Sequence, residues 1–168
     1  GSMLTAISFI TYGLIYKVSL DTSTSLFILL GALTSFCCWN WSPAKIFMGD
    51  IGSTFLGAIF GGLILLNNSW SEALSMVMIA SPLFLDPIFC IFKRLIKQEN
   101  IFKPHRDHLY QKLALAGIQK NLISTGYIIA TFLLGIGYLA GLTTQIIILV
   151  IEILVFLKLL NHISVKIL

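Results

Sequence analysis

Charge is what this sequence has least of. Charged residues make up 11% of its 168 positions, against about 25% in an ordinary soluble protein. Eleven basic and seven acidic side chains cannot clothe a globular domain of this length, so a water-soluble fold is excluded. With hydrophobic residues at 57%, a disordered chain is excluded as well. Cysteine is nearly absent too. Cys37, Cys38 and Cys90 include no C-x-x-C pair, which rules out a disulfide scaffold and supports neither a zinc motif nor a thioredoxin-like redox pair. Their apolar surroundings predict buried free thiols acting as small hydrophobes. The first residues, Gly1-Ser2-Met3, lack the basic stretch and cleavage site of a signal peptide.

What fills the chain instead is apolar sequence, with a mean hydropathy of +0.94. Apolar runs fall at about 3–16, 25–41, 54–67, 73–92, 121–142 and 145–160. A bilayer core of about 30 Å takes about 20 helical residues. The expected fold is therefore an all-α integral membrane protein of about six transmembrane helices, one membrane domain over 1–168. The first run is short, as though its helix originally began earlier. Ten of the eleven basic residues, all but Lys17, fall on one side of this topology. That asymmetry predicts that this side, and with it both ends of the chain, faces the cytoplasm. The excess of positive charge is thus a topology signal, and no basic–aromatic surface exists for nucleic acid.

The longest polar stretch is the predicted cytoplasmic loop 93–120. Within it, Pro104 suits the first turn of a short interfacial helix and Gly117 its end. Leu109, Leu113 and Ala116 would form its apolar stripe, with His105, His108 and Lys112 on a neighbouring face.

Two polar constellations lie on the predicted cytoplasmic side. The first runs Asn40-Trp41-Ser42-Pro43-Ala44-Lys45-Ile46-Phe47-Met48-Gly49-Asp50-Ile51-Gly52-Ser53. Asp50 between glycines reads equally as a ligand for a hard metal ion and as an acid that starts a helix. Ser53 is a candidate cap for that helix. The second runs Lys103-Pro104-His105-Arg106-Asp107-His108-Leu109-Tyr110-Gln111-Lys112. Its imidazoles and Arg106 suit an anionic phosphate, yet spacing alone favours a solvated basic loop that merely fixes topology.

Taken together, Trp39-Asn40, Pro43 to Asp50, Gly52-Ser53 and the later His105-Arg106-x-His108-x-Tyr110-Gln111 resemble the signatures of a known family. This is the polyprenyl-phosphate sugar-1-phosphate transferases, and within it the O-antigen and capsule branch. The resemblance implies transfer of an N-acetylhexosamine-1-phosphate from a UDP-sugar to undecaprenyl phosphate in the bacterial inner membrane, with release of UMP. By position, Asp50 matches the family's magnesium-binding aspartate, with manganese an alternative ion. Phe47 matches the aromatic that stacks on uracil, and Asn40 a polar residue beside it. His105, Arg106 and His108 match the loop that contacts the sugar diphosphate, so Asp50, His105 and His108 are the catalytic candidates. The family's Asp-Asp pair and its Phe-Met-Asp-Gly segment are missing. The chain is accordingly expected to be the C-terminal half of a longer transferase, inactive without its N-terminal half or a partner subunit. The competing expectation is a non-catalytic membrane remnant or scaffold. A transporter is disfavoured, because no inverted repeat is visible.

Three further residues stand out. Asp86, beside Pro87 in the fourth run, is an ionisable group at membrane depth, read chiefly as structural support that needs a polar partner. Glu152 is expected to meet a helix of the N-terminal half that this chain lacks, and His162 to lie solvated at the interface. Gly57 and Gly61 have small-x-x-x-small spacing, a mark of close helix contact.

Overall fold

The computed structural model describes residues 20–41, 43–67, 69–100 and 108–167. The first apolar run lies outside them. Among the described residues, six helices follow one another: α1 (Leu20–Asn40), α2 (Gly49–Leu65), α3 (Trp70–Ile96), α4 (Leu109–Leu115), α5 (Lys120–Leu139) and α6 (Leu142–Ile167). There is no strand among the described residues.

Each of the five remaining apolar runs sits on its own helix. Trp70–Ile96, Lys120–Leu139 and Leu142–Ile163 are long and apolar enough to cross a membrane, whereas Leu26–Asn40 and Gly49–Leu65 are shorter apolar helices. The 17 residues of α2 span about 26 Å at the helical rise, so that helix fills the hydrocarbon only with help from its flanks. The basic loop is shorter than expected, because α3 runs on through Lys93 and Arg94 to Ile96.

Lipid tails are as apolar as leucine, so close packing and polar contacts hold such helices together rather than a hydrophobic driving force. The main core joins Leu26 and Leu33 of α1, Leu56 and Leu63 of α2, Met76 and Ile79 of α3, and Leu134 of α5. Polar groups tie its far end. Gln145 at the start of α6 is fully buried, and its Nε2 donates to the Ser75 carbonyl of α3 at 2.9 Å. The outward faces are apolar: Ile147, Ile151 and Leu154 of α6 are all exposed, as a lipid-facing surface requires.

A second core assembles at the opposite, basic end. Leu109 and Leu113 of α4 pack with Leu160 and Ile163 of α6, surrounded by Phe89, Ile123 and Phe156. Phe89 and Phe156 meet edge to face with centroids 5.7 Å apart. The short helix thus lies across the ends of α3, α5 and α6, and the predicted Leu109/Leu113 stripe is its buried face. Ala116, the third member of that stripe, is exposed. Gly117 closes α4 at φ +87°, a left-handed turn that glycine adopts without steric cost.

Among the described residues, close helix approach occurs at Gly137. A methyl group on Gly57 or Gly61 would meet no atom of the described residues within 4 Å, whereas one on Gly137 would stand 2.7 Å from Ile148 Cδ1 and 3.1 Å from Gln145 Cα. Gly137 therefore sets the spacing of α5 and α6. Gly137→Ala should lower stability by about 1–3 kcal/mol, the usual cost of overpacking. Gly57→Ala and Gly61→Ala should leave it within about 0.5 kcal/mol, with unfolding in mixed micelles as the readout.

Candidate functional site

The segment joining α1 to α2 is pinned by the last turn of α1. The Trp39 carbonyl accepts from the Lys45 and Ile46 N–H groups at 2.9 and 3.4 Å, and Lys45 Nζ lies 5.4 Å from the Trp39 ring centroid, a cation–π arrangement. Asn40, half-buried, donates through Nδ2 to the Ile46 carbonyl at 2.7 Å. Its amide thus serves first to fold the loop that carries Phe47, whose ring stands 79% exposed.

Gly49 then opens α2 with φ +67°, a conformation that costs any residue with a Cβ about 1–2 kcal/mol. Gly52 has a separate reason to be glycine, since a methyl there would collide with the Met48 side chain. Between them Asp50 is exposed in the first turn, where the helix dipole favours a carboxylate. Ser53 is not the helix cap. α2 begins four residues earlier, and the Ser53 hydroxyl donates back to the Asp50 carbonyl at 2.9 Å.

The second constellation comes together around α4. His105, Arg106 and Pro104 lie outside the described residues. His108 does not share a helical face with Lys112: its ψ of 143° is extended, and α4 starts only at Leu109. The His–His–Lys spacing assumed a helix through His108, whereas α4 begins only after it. Freed from the helix, the imidazole turns toward α3, and its Nδ1 lies 3.4 Å from Asp86 Oδ2. Asp86 is 3% exposed, and its Oδ1 accepts the Leu109 N–H at 2.9 Å. This supplies the polar partner the sequence demanded, and it caps α4, which has no cap from His108 itself.

The pair borders a cavity of about 460 Å³ lined by Pro82, Leu83, Asp86, Pro87, His108, Tyr110 and Tyr127. The Tyr110 ring stacks on His108, with centroids 5.6 Å apart and planes inclined by 19°. One wall is thus apolar and proline-rich, and the other carries a carboxylate, an imidazole and two phenols. Such a cavity can donate hydrogen bonds to an anionic group while holding an apolar portion of the same ligand. Asp86 thus anchors the Leu109 amide, a structural support of the kind read from the sequence. Tyr110 and Tyr127 had not been singled out. Tyr110 was legible within the His-x-Tyr segment, whereas Tyr127 sits in a plain apolar run with no signal.

Asp50 does not line this cavity, and neither do Glu152 and His162. Glu152 is half-buried on α6, and His162 is exposed as expected. Of the three thiols only Cys90 is buried; Cys38 is exposed and Cys37 half-exposed, which corrects the uniform burial expected. The residues present meet the needs of magnesium in one limited form. That ion takes oxygen ligands, commonly one or two carboxylates completed by water and substrate phosphates, and the exposed Asp50 offers a single carboxylate.

Comparisons with known proteins bear on the same segments. Residues 1–68 match the model of Glycosyl transferase family 4. The chain is 33% identical over 150 residues to the phospho-N-acetylmuramoyl-pentapeptide-transferase of Streptococcus pyogenes serotype M18, covering 84% of this chain and 44% of that protein. It is 30% identical over 100 residues to a probable undecaprenyl-phosphate N-acetylglucosaminyl 1-phosphate transferase of Bacillus subtilis, covering 56% of this chain and 28% of that one. The chain therefore spans less than half the length of these relatives. No solved structure matches it.

Loss of the Asp86 carboxylate should loosen α4 specifically. In Asp86→Ala, hydrogen exchange at the Leu109 amide should rise by roughly 5–30-fold, the equivalent of about 1–2 kcal/mol for a lost helix cap. Amides in the middle of α5 should be unchanged.

Proposed function

Because the chain belongs to glycosyl transferase family 4, the polyprenyl-phosphate hexosamine-1-phosphate transferases, we propose that it forms part of the site that transfers an N-acetylhexosamine-1-phosphate from a UDP-sugar to undecaprenyl phosphate. A lipid phosphate oxygen attacks the β-phosphorus of the nucleotide sugar, the bond from that phosphorus to the bridging oxygen breaks, and UMP departs. The product is a lipid-linked sugar diphosphate for assembly of a cell-wall or surface glycan.

The observation that carries this reading is the form of the α1–α2 segment. Asp50 is exposed at a helix N-terminus, three residues from the bare ring of Phe47, where a nucleotide base and a phosphate-bound ion have access together. Magnesium or manganese bound at Asp50 would offset the charge of the two phosphates that must meet. Phe47 stacks on the uracil, and Asn40 keeps its loop in place. His108, held by Asp86 beside Tyr110, donates to the sugar diphosphate, and His105 and Arg106 extend that contact. The ligand face is cytoplasmic in this reading, which the lysines at this end support: Lys45, Lys93, Lys97, Lys112 and Lys120.

Turnover requires more acid than Asp50 supplies. The reading therefore assigns nucleotide-sugar binding to this chain, and the remaining carboxylates to an N-terminal half or a partner subunit. The test is the chain in vesicles containing undecaprenyl phosphate, given labelled UDP-N-acetylglucosamine and magnesium. Binding should be magnesium-dependent and at least about tenfold weaker in Asp50→Asn, a loss of about 1.4 kcal/mol. UMP should be released only when the N-terminal half of a related transferase is co-reconstituted. Binding indifferent to Asp50→Asn, or no binding at all, would overturn the transferase reading in favour of a membrane scaffold. UMP release by this chain unaided would overturn the division of the site.

A further inference from the structure

One cluster at the α3–α4 junction is not used fully by this chemistry. Asp86, Cys90 and His108 each offer one donor atom, and the three atoms lie within 4.8 Å of one another. Asp86 and Cys90 stand one helical turn apart on the same face of α3, the spacing at which two ligands converge. His108 approaches from the segment above. The Cys90 Sγ lies 3.7 Å from Asp86 Oδ1, and His108 Nδ1 lies 3.4 Å from Asp86 Oδ2. With metal–oxygen and metal–nitrogen bonds of about 2.0–2.2 Å and a metal–sulfur bond of about 2.3 Å, the edges of a tetrahedron come to about 3.3–3.6 Å. With all three donor atoms within 4.8 Å of one another, movements of about 1 Å would bring them to the edges that a single ion imposes.

A second observation points the same way. Asp86 is 97% buried, and its Oδ2 faces His108 Nδ1 at 3.4 Å without forming a hydrogen bond, an expensive arrangement for two buried polar atoms. We propose that Asp86, Cys90 and His108 form a binding site for a divalent transition-metal ion of the zinc class, with its fourth position open to the cavity.

The donor set decides the kind of ion. A thiolate and an imidazole beside one carboxylate suit zinc or cobalt, and reject magnesium and calcium, which demand oxygen. Charge fits as well. On binding, the Cys90 thiol gives its proton to solvent and the sulfur–metal bond takes its place. Thiolate and carboxylate then cancel the dication, and the neutral imidazole leaves the buried cluster with no net charge. The Leu109 N–H on Oδ1 remains as an outer contact that fixes the carboxylate. Coordination through Nδ1 places the ring proton of His108 on Nε2. His108 retains 23% side-chain exposure, which gives the ion a way in. The absence of any C-x-x-C pair hid this site in the sequence, because its ligands are spread over two elements.

The test uses the whole chain in detergent micelles, stripped with a chelator and titrated with cobalt(II). Cys37→Ser and Cys38→Ser are introduced first, so that the more exposed thiols cannot contribute. One equivalent should bind, with tetrahedral d–d bands and a sulfur-to-cobalt charge-transfer band, and zinc should displace it. Cys90→Ser should abolish the charge-transfer band, and Asp86→Asn should weaken binding at least tenfold. Should Cys90→Ser lose the far-ultraviolet helix signal, Cys90→Ala serves in its place. A charge-transfer band that survives loss of Cys90, or cobalt bound without such a band, overturns the proposal. So does a folded chain that binds no cobalt. None of these outcomes depends on nucleotide-sugar binding.

Discussion

A carboxylate at membrane depth must find a donor, and in this chain Asp86 finds it in another element, 23 residues on. The bond it accepts from the Leu109 N–H fixes where α4 begins. Because α4 begins there, Leu109 and Leu113 face the second core, and His108 is left in an extended conformation beside the acid that made the bond. Burial of one ionisable group thus organises the whole basic end of the bundle. A leucine at that position would satisfy the lipid equally well and would leave α4 without an anchor.

Proline contributes to the same arrangement. Pro82 and Pro87 lie inside α3, and each removes one backbone donor from the helix and leaves a carbonyl without its usual partner. In water this would break the helix. Here neighbouring elements pack around it, as membrane helices allow, and both prolines line the cavity beside Asp86. α3 nevertheless runs unbroken from Trp70 to Ile96, so the prolines shape the cavity wall without ending the helix.

The two constellations are built differently. The α1–α2 segment is local: Trp39, Asn40, Lys45 and Ile46 bond to one another within seven residues, and Gly49 meets its own steric requirement. The cavity is non-local, drawing on α3, α4 and α5. A segment of the first kind keeps its shape with little help from the rest of the bundle. The second exists only when two long helices and a crossing element have packed.

That difference also decides what could be read from residues alone. Long apolar runs and scarce charge dictated membrane helices, because lipid permits no other placement for such sequence, and five described helices follow the runs. The order Asn40, Phe47, Asp50 was legible for the same local reason, since its residues adjoin in the chain. Helical spacing misled at His108, where a bond to Asp86 overrode the periodicity and set the helix start. The close contact of α5 with α6 at Gly137 carried no such spacing signal, because which face of a helix meets a neighbour is settled by the partner. The juxtaposition of Asp86, Cys90, His108, Tyr110 and Tyr127 was decided by tertiary structure alone. Those residues lie on three elements, and sequence carries no record of a distance that only packing creates.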